Sequence, residues 1–173
     1  MKVLKYWVCG LLVAVSAGCR NTARKTDGWL YVRVDHAIDY YDRISDNYYK
    51  IDGRNIALEY SFSYWPDAET PETRVMILLS FVDLAGRCEV PSFDTEACRR
   101  IPVVWGDGSE STLIDDDPSS CTIGIENPTA REFQREFNRK KKCSLTVTTD
   151  DGRKLTYDFD IGRSGGLNLE AME

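Results

Sequence analysis

The chain has 173 residues, carries 22 Lys and Arg against 28 Asp and Glu, and has a net charge of −6 at neutral pH. That length suits one domain large enough to bury a core. The acidic balance excludes nucleic acid as a partner, because phosphate backbones demand a basic footprint, and no phosphate loop or dinucleotide fingerprint is present.

Lys2 and Lys5 open the chain, residues 8–17 are almost wholly apolar, and Ser16, Ala17 and Gly18 are small. A positive segment, an apolar stretch and a small-residue end make up a secretory signal peptide, here residues 1–18. The stretch falls well short of the roughly 20 residues that span a bilayer. The next most apolar run, residues 75–84, is interrupted by Ser80 and Asp83. The chain is therefore read as exported and not integral to a membrane. Ser16-Ala17-Gly18-Cys19 resembles the lipobox of bacterial lipoproteins, with Ser16 where that family prefers Leu. The resemblance implies cleavage before Cys19 and acylation of its sulfur and new amino group. With Arg20 rather than Asp next, it also implies the outer membrane of a Gram-negative cell. The competing reading of the same residues is ordinary cleavage after Ala17, with Val15 and Ala17 as the small-residue signature. Acyl chains contribute about 0.8 kcal/mol per buried methylene, and more than one makes anchoring stable. Residues 19–28 then read as a polar tether, its Arg20, Arg24 and Lys25 placed for anionic headgroups. Residues 29–173 read as the folded domain. Loss of Lys2 and Lys5 leaves 20 basic and 28 acidic residues, a charge of −8.

Within the domain the dominant hydrophobic period is two, the mark of half-buried strands. The first strand is expected over 29–35, with Leu30, Val32 and Val34 inward. Residues 37–47 fit a short helix through Ile38, Tyr41 and Ile44, and fit a loop nearly as well. A strand over 48–51 turns at Asp52-Gly53 into one carrying Ile56, Leu58, Tyr60, Phe62 and Tyr64 on one face. Asp-Gly supplies the positive φ that tight hairpins need. Residues 74–82 are apolar on both faces, as expected for a central strand covered on both sides. Residues 101–105 and 111–114 flank a turn at Gly106-Asp107-Gly108, and 121–125 is a shorter strand. Asn127 as N-cap and Pro128 as first residue open a helix that packs Ala130, Phe133 and Phe137 inward. Glu136 and Lys140 are spaced for an i,i+4 pair. The last two strands carry Cys143, Leu145 and Val147, then Leu155, Tyr157, Phe159 and Ile161, with Asp151-Gly152 between them. The expected fold is mainly β: a two-layer antiparallel β-sandwich, or a barrel-like sheet, of about eight strands with one amphipathic helix.

Removal of the leader, and Cys9 with it, leaves Cys19, Cys88, Cys98, Cys121 and Cys143, an odd number. Acylation of Cys19 leaves four, enough for two disulfides in an oxidising compartment. Four cysteines allow three pairings. The sequence-local one, Cys88–Cys98 with Cys121–Cys143, is the expectation, each loop being worth about 3 kcal/mol in the chain-entropy view. No Cys-x-x-Cys occurs and the single histidine, His36, lies on another element, so no zinc site, other metal or cofactor is expected.

Candidates for function are few. His36 has no nucleophile motif around it. Asp115-Asp116-Asp117, with Asp107 or Glu110, offers calcium ligands in an order unlike the EF-hand; an acidic loop tip is the plainer reading. Asp158 and Asp160 share a strand face without the opposed cleft that glycosidase carboxylates need. Tyr40, Tyr41, Tyr48, Tyr49, Tyr64 and Trp65 form an aromatic group that suits either a binding surface or ordinary strand packing. A protein-contact face is sought first in residues 37–47 and at the hairpin tip after Tyr49. Arg131, Arg135, Arg139 and Lys142 form a basic stripe that suits an acidic partner, headgroups or simply solvent. Three classes follow: a lipid-anchored module that binds or inhibits a protein partner; an assembly lipoprotein of a secretion or fimbrial complex; and, last, an envelope hydrolase. The expectation is a binding protein and not an enzyme.

Overall fold

The computed structural model describes residues 24–26, 29–34, 38–66, 68–69, 74–115, 118–162 and 166–172. Residues 1–18, expected as a signal peptide, Cys19 and His36 lie outside the described residues. The chain is mainly β, with two antiparallel sheets and one α-helix.

Eleven strands occur among the described residues. The larger sheet contains β1 (Arg24–Thr26), β2 (Trp29–Val34), β3 (Ile38–Ile44), β4 (Tyr49–Ile51), β5 (Arg54–Tyr64), β6 (Val75–Asp83) and β9 (Thr122–Glu126). Its order is β1-β2-β3-β5-β6-β9, with β4 also on β5. The smaller sheet runs β11-β10-β7-β8, from β7 (Arg100–Trp105), β8 (Glu110–Ile114), β10 (Lys142–Thr148) and β11 (Lys154–Asp160). The helix α1 (Thr129–Lys140) joins β9 to β10.

Three expectations are corrected here. Residues 38–44, expected as helix or loop, form the strand β3 between β2 and β5, and only 45–47 after it are loop. Its alternation was hidden because both faces carry large or buried residues, Tyr40 and Asp42 on one and Tyr41 on the other. Residues 24–26, read as open tether, pair with 29–31 as β1. In β2 Val32 is buried as expected, at 2% exposure, but Leu30 is 40% exposed, and it is Trp29, 1% exposed, that joins the shared core. Trp29 packs edge-on against Tyr60 and Phe137, and its indole offers far more apolar area than Leu30, so it sets which face turns inward.

The remaining elements match their sequence signals. Asp52 and Gly53 both have positive φ, 48° and 76°, and close a two-residue hairpin between Ile51 and Arg54. Strand β5 shows the expected buried row Ile56, Leu58, Tyr60 and Phe62, opposite Phe81, Leu79 and Ile77 of β6. These rows share one core with Ile101, Val103, Leu145, Val147, Tyr157 and Phe159 of the smaller sheet and with Ala130, Phe133 and Phe137 of the helix. Each such side chain contributes about 1.5–3 kcal/mol on burial.

The helix starts one residue later than expected. Pro128 occupies the cap position without a side-chain cap, and Thr129 is the first helical residue. It ends at Lys141, whose φ of 67° reverses the chain while its N–H bonds to the Phe137 carbonyl. Gln134, fully buried, was not anticipated on the inward face. Tyr60 Oη donates to Gln134 Oε1, Gln134 Nε2 donates to Asn138 Oδ1 at 2.9 Å, and Asn138 exchanges two hydrogen bonds with the Leu167 backbone. One polar chain thus ties β5, the helix and the C-terminal segment together.

The expected disulfides do not form: Cys88, Cys98, Cys121 and Cys143 are free thiols, the first and third exposed and the other two buried. Both expected pairs would join an exposed cysteine to a buried one. The physical reason is clearest at Cys98. Pro102 has no N–H to continue the β7–β10 ladder past Leu145↔Val103. Two residues beyond the position opposite Pro102, the Cys98 thiol engages β10 instead, accepting from the Thr148 N–H at 3.4 Å and donating to the Thr148 carbonyl at 3.3 Å. Cys143 points inward from β10 into the core.

Candidate functional site

Two hairpin ends and one loop converge at one end of the two sheets. A cleft of about 240 Å³ opens there, lined by Asp52 and Arg54 of the β4–β5 hairpin, Glu89 to Ser92 after β6, and Asp150, Asp151 and Arg153 of the β10–β11 turn, over a floor of Ile51 and Ile56. The loop is pinned to the turn by Asp150 N–H to Ser92 O at 3.0 Å and by a bridge between Phe93 and Thr149. Arg54 donates to the Glu89 carbonyl at 2.7 Å and pairs with the Glu89 carboxylate. Arg153 pairs with Asp151, which, with a bond from Thr149 Oγ1, holds the Asp151 carboxyl far below its ordinary range. The cleft is therefore open, polar and lined by charges of both signs. It is smaller than the roughly 300–1,000 Å³ that encloses a drug-sized ligand. Val90, 38% exposed, adds an apolar spot at its rim.

The aromatic group does not gather into one surface. Tyr40 is buried on the outer face of the larger sheet, and that burial raises its phenol to about 12. Tyr41 faces the other way and tilts against Tyr31. Tyr49 bonds to the Thr156 backbone and packs edge-on against Tyr157. Tyr64 and Trp65 are half-buried, and only Tyr48 of the six is exposed, at 54%.

The basic stripe is likewise divided. Arg139 is paired with Glu136 at 2.6 Å, which takes the partner expected for Lys140. Lys140 instead crosses to Asp107 at 2.8 Å and lies 5.6 Å over the Trp105 ring, tying the helix end to the β7–β8 turn. Lys142 lies on β10, not on the helix, and pairs with Asp160 at 2.7 Å. Arg131 is half-buried and Arg135 exposed.

The acidic candidates are engaged elsewhere. Asp115 is buried and accepts from the Gly124 N–H at 2.7 Å, while residues 116–117 lie outside the described residues. Asp158 accepts from Ser144 Oγ at 2.6 Å. Among the described residues no three His, Cys, Asp or Glu side chains are placed to hold a metal ion.

Sequence reasoning passed over two features. Asp42 of β3 and Glu59 of β5 share the outer face of the larger sheet, where Ser61 Oγ donates to Asp42. Burial raises Asp42 to about 6; burial and the Asp42 charge raise Glu59 to about 7. No period-two reading finds them, because on that face they stand where polar residues are expected. The second is Gly162-Arg163-Ser164-Gly165-Gly166, which has the spacing of a hydrolase nucleophile elbow. Residues 163–165 lie outside the described residues, and Leu169–Met172 after them is a short 3₁₀ turn, not the helix an elbow requires.

The chain matches no known protein family, no curated protein and no solved structure. No helix among the described residues is long and apolar enough to cross a membrane.

Proposed function

We propose that the chain is an exported, lipid-anchored envelope protein whose β-sandwich domain holds or inhibits a protein partner without catalysing a reaction. Its anchor is Cys19, and its place is the outer membrane.

The observation that carries the binding reading is the cleft between the β4–β5 hairpin, residues 89–92 and the β10–β11 turn. Loops carried on a rigid sheet scaffold are where recognition concentrates. This cleft suits a polar side chain of a partner loop better than an enclosed small molecule, because it is small, open and lined by ion pairs. Its Asp52-Gly53 edge is the hairpin tip singled out from sequence as a place to look for contact.

The anchor reading rests on the residues of the leader. Intact mass of the mature chain tests it: a diacylated or triacylated N-terminus at Cys19 supports it, and an unmodified thiol overturns it. Photo-crosslinkers at Val90 and Asp52 test the cleft in envelopes. A discrete crosslinked protein at both positions, absent with a crosslinker at Ser144 on the far side of the smaller sheet, supports a docked partner. Equal labelling at all three positions overturns the assignment.

A further inference from the structure

Of the outer strand edges of the two sheets, those of β9 and β11 are sealed by the chain's own side chains and backbone. Along β11, Asp46 donates its N–H to the Asp158 carbonyl at 2.7 Å and accepts from the Asp160 N–H at 2.7 Å. Asn47 and Tyr49 complete that row at Asp158 and Thr156. Along β9, Asp115 takes the Gly124 N–H, and Ser119 satisfies both backbone groups of Thr122.

The β8 edge is different. It is the last strand of the smaller sheet. Trp105 N–H to Ser109 O at 2.8 Å and Asp115 N–H to Arg99 O at 3.1 Å fix which pairs of the β7–β8 hairpin exchange bonds. The backbone groups of Ser111 and Leu113 therefore face β7, and those of Glu110, Thr112 and Ile114 face outward. No described residue satisfies these outward groups. The strand has no Pro, Lys or bulge to discourage pairing, the devices by which natural edges avoid it. Glu110, Thr112 and Ile114 are exposed, as are their β7 neighbours Val104, Pro102 and Arg100.

We infer that β8 pairs antiparallel with β8 of a second copy of this chain, about a two-fold axis at Thr112. Charge selects that register. Centred on Thr112, Glu110 lies beside the second copy's Ile114, whose β7 neighbour is Arg100, so each carboxylate faces a cation one strand beyond. Thr112 opposes Thr112, a favourable cross-strand pair. A register centred on Glu110 sets like carboxylates directly together. The result is a continuous eight-stranded sheet across two copies. This inference does not depend on the anchor or on the cleft.

Sedimentation velocity and amide hydrogen exchange on the full chain in mild detergent, over a wide concentration range, test it. The expected result is a reversible dimer with concentration-dependent protection at the Glu110, Thr112 and Ile114 amides. Thr112→Pro removes one outward N–H that the monomer does not use, so dimer and protection are lost while the melting temperature holds. Should Thr112→Pro fail to fold, Glu110→Lys decides: it weakens the dimer about tenfold or more, and Arg100→Glu in the same chain restores it. A chain monomeric at every concentration, or a dimer indifferent to both substitutions, overturns the inference. So does protection of these amides only after another envelope protein is added, which assigns the edge to a foreign strand.

Discussion

The buried pair Tyr60–Gln134 offers the sharpest test of how the helix is held. The Tyr60 hydroxyl lies in the core and donates to Gln134 Oε1, and Gln134 is fully buried. Gln134→Ala strands that hydroxyl without water or protein partner, costing about 1–3 kcal/mol, and adds a packing loss from the deleted side chain. We expect a total near 3 kcal/mol. Tyr60→Phe leaves Gln134 Oε1 short of a donor but keeps its amide bond to Asn138, so roughly 1–2 kcal/mol is expected. Tyr60→Phe with Gln134→Leu removes both polar ends and fills the space. The double variant should therefore cost at least about 1 kcal/mol less than the sum of Tyr60→Phe and Gln134→Leu measured alone. Urea denaturation followed by circular dichroism, with equal m-values across the set, measures all four corners. Additivity within about 0.5 kcal/mol would falsify the claim that this hydrogen bond couples helix and sheet.

Further outcomes follow from the same structure. Asp42 and Glu59 titrate at about 6 and about 7 in the folded chain, above their ordinary values of 3.8 and 4.5. The folded state then holds protons that the unfolded chain releases, so their contribution is complete below about pH 4 and is lost as pH rises through 6 and 7. Asp42→Asn should accordingly add about 2–3 kcal/mol near pH 7.5 and nothing near pH 4; an unchanged or lowered melting temperature at the higher pH refutes the burial argument. Lys140→Met keeps the alkyl cover on Trp105 but frees Asp107, and should lower the melting temperature slightly, less so in high salt; a salt-independent loss contradicts an ionic role. Alkylation of the native chain, mapped by mass spectrometry, should label Cys88 and Cys121 quickly. Cys98 and Cys143, whose thiols burial pushes up, should label only on unfolding. Any bridged pair among the four contradicts the structure.

The sheets were legible because most of their strands alternate apolar with polar side chains. Along β5, β10 and β11 the apolar residues alternate with polar ones, and Asp52-Gly53 marks its turn by a pair that tolerates positive φ at both positions. Strand β3 was not legible, since Tyr40 and Asp42 are buried on one face while Tyr41 packs on the other, leaving no polar face to set the period. Gln134 reads as a solvent residue at any helical position until Tyr60 is seen beside it, 74 residues away in sequence. The cleft was half visible. Its hairpin tip could be named, but residues 89–92 and the β10–β11 turn meet it only through the register of two separate sheets. The ion partners were least legible: Lys140 has Glu136 at helical spacing yet reaches Asp107, because the left-handed turn at Lys141 brings β10, and β7 beside it, back under the helix end.

The free thiols also change what the anchor reading rests on. An odd cysteine count points to acylation of Cys19 only if the other four are paired, and they are not. Acylation is then supported by the charged start, the apolar stretch and Ser16-Ala17-Gly18-Cys19 alone. Nor does the domain need staples. Its core joins both sheets and the helix, and includes Trp29, Tyr60, Phe62, Phe137, Tyr157 and Phe159, all at or below 1% exposure. Disulfides are decisive chiefly where a core is too small to stand alone, and a core of this breadth is not. Thiol state and acylation are therefore independent properties, and one intact-mass measurement with and without alkylation reads both. A lipid-bearing chain with four alkylatable thiols is the expected outcome; an unmodified Cys19 refutes the anchor and a bridged pair refutes the free thiols.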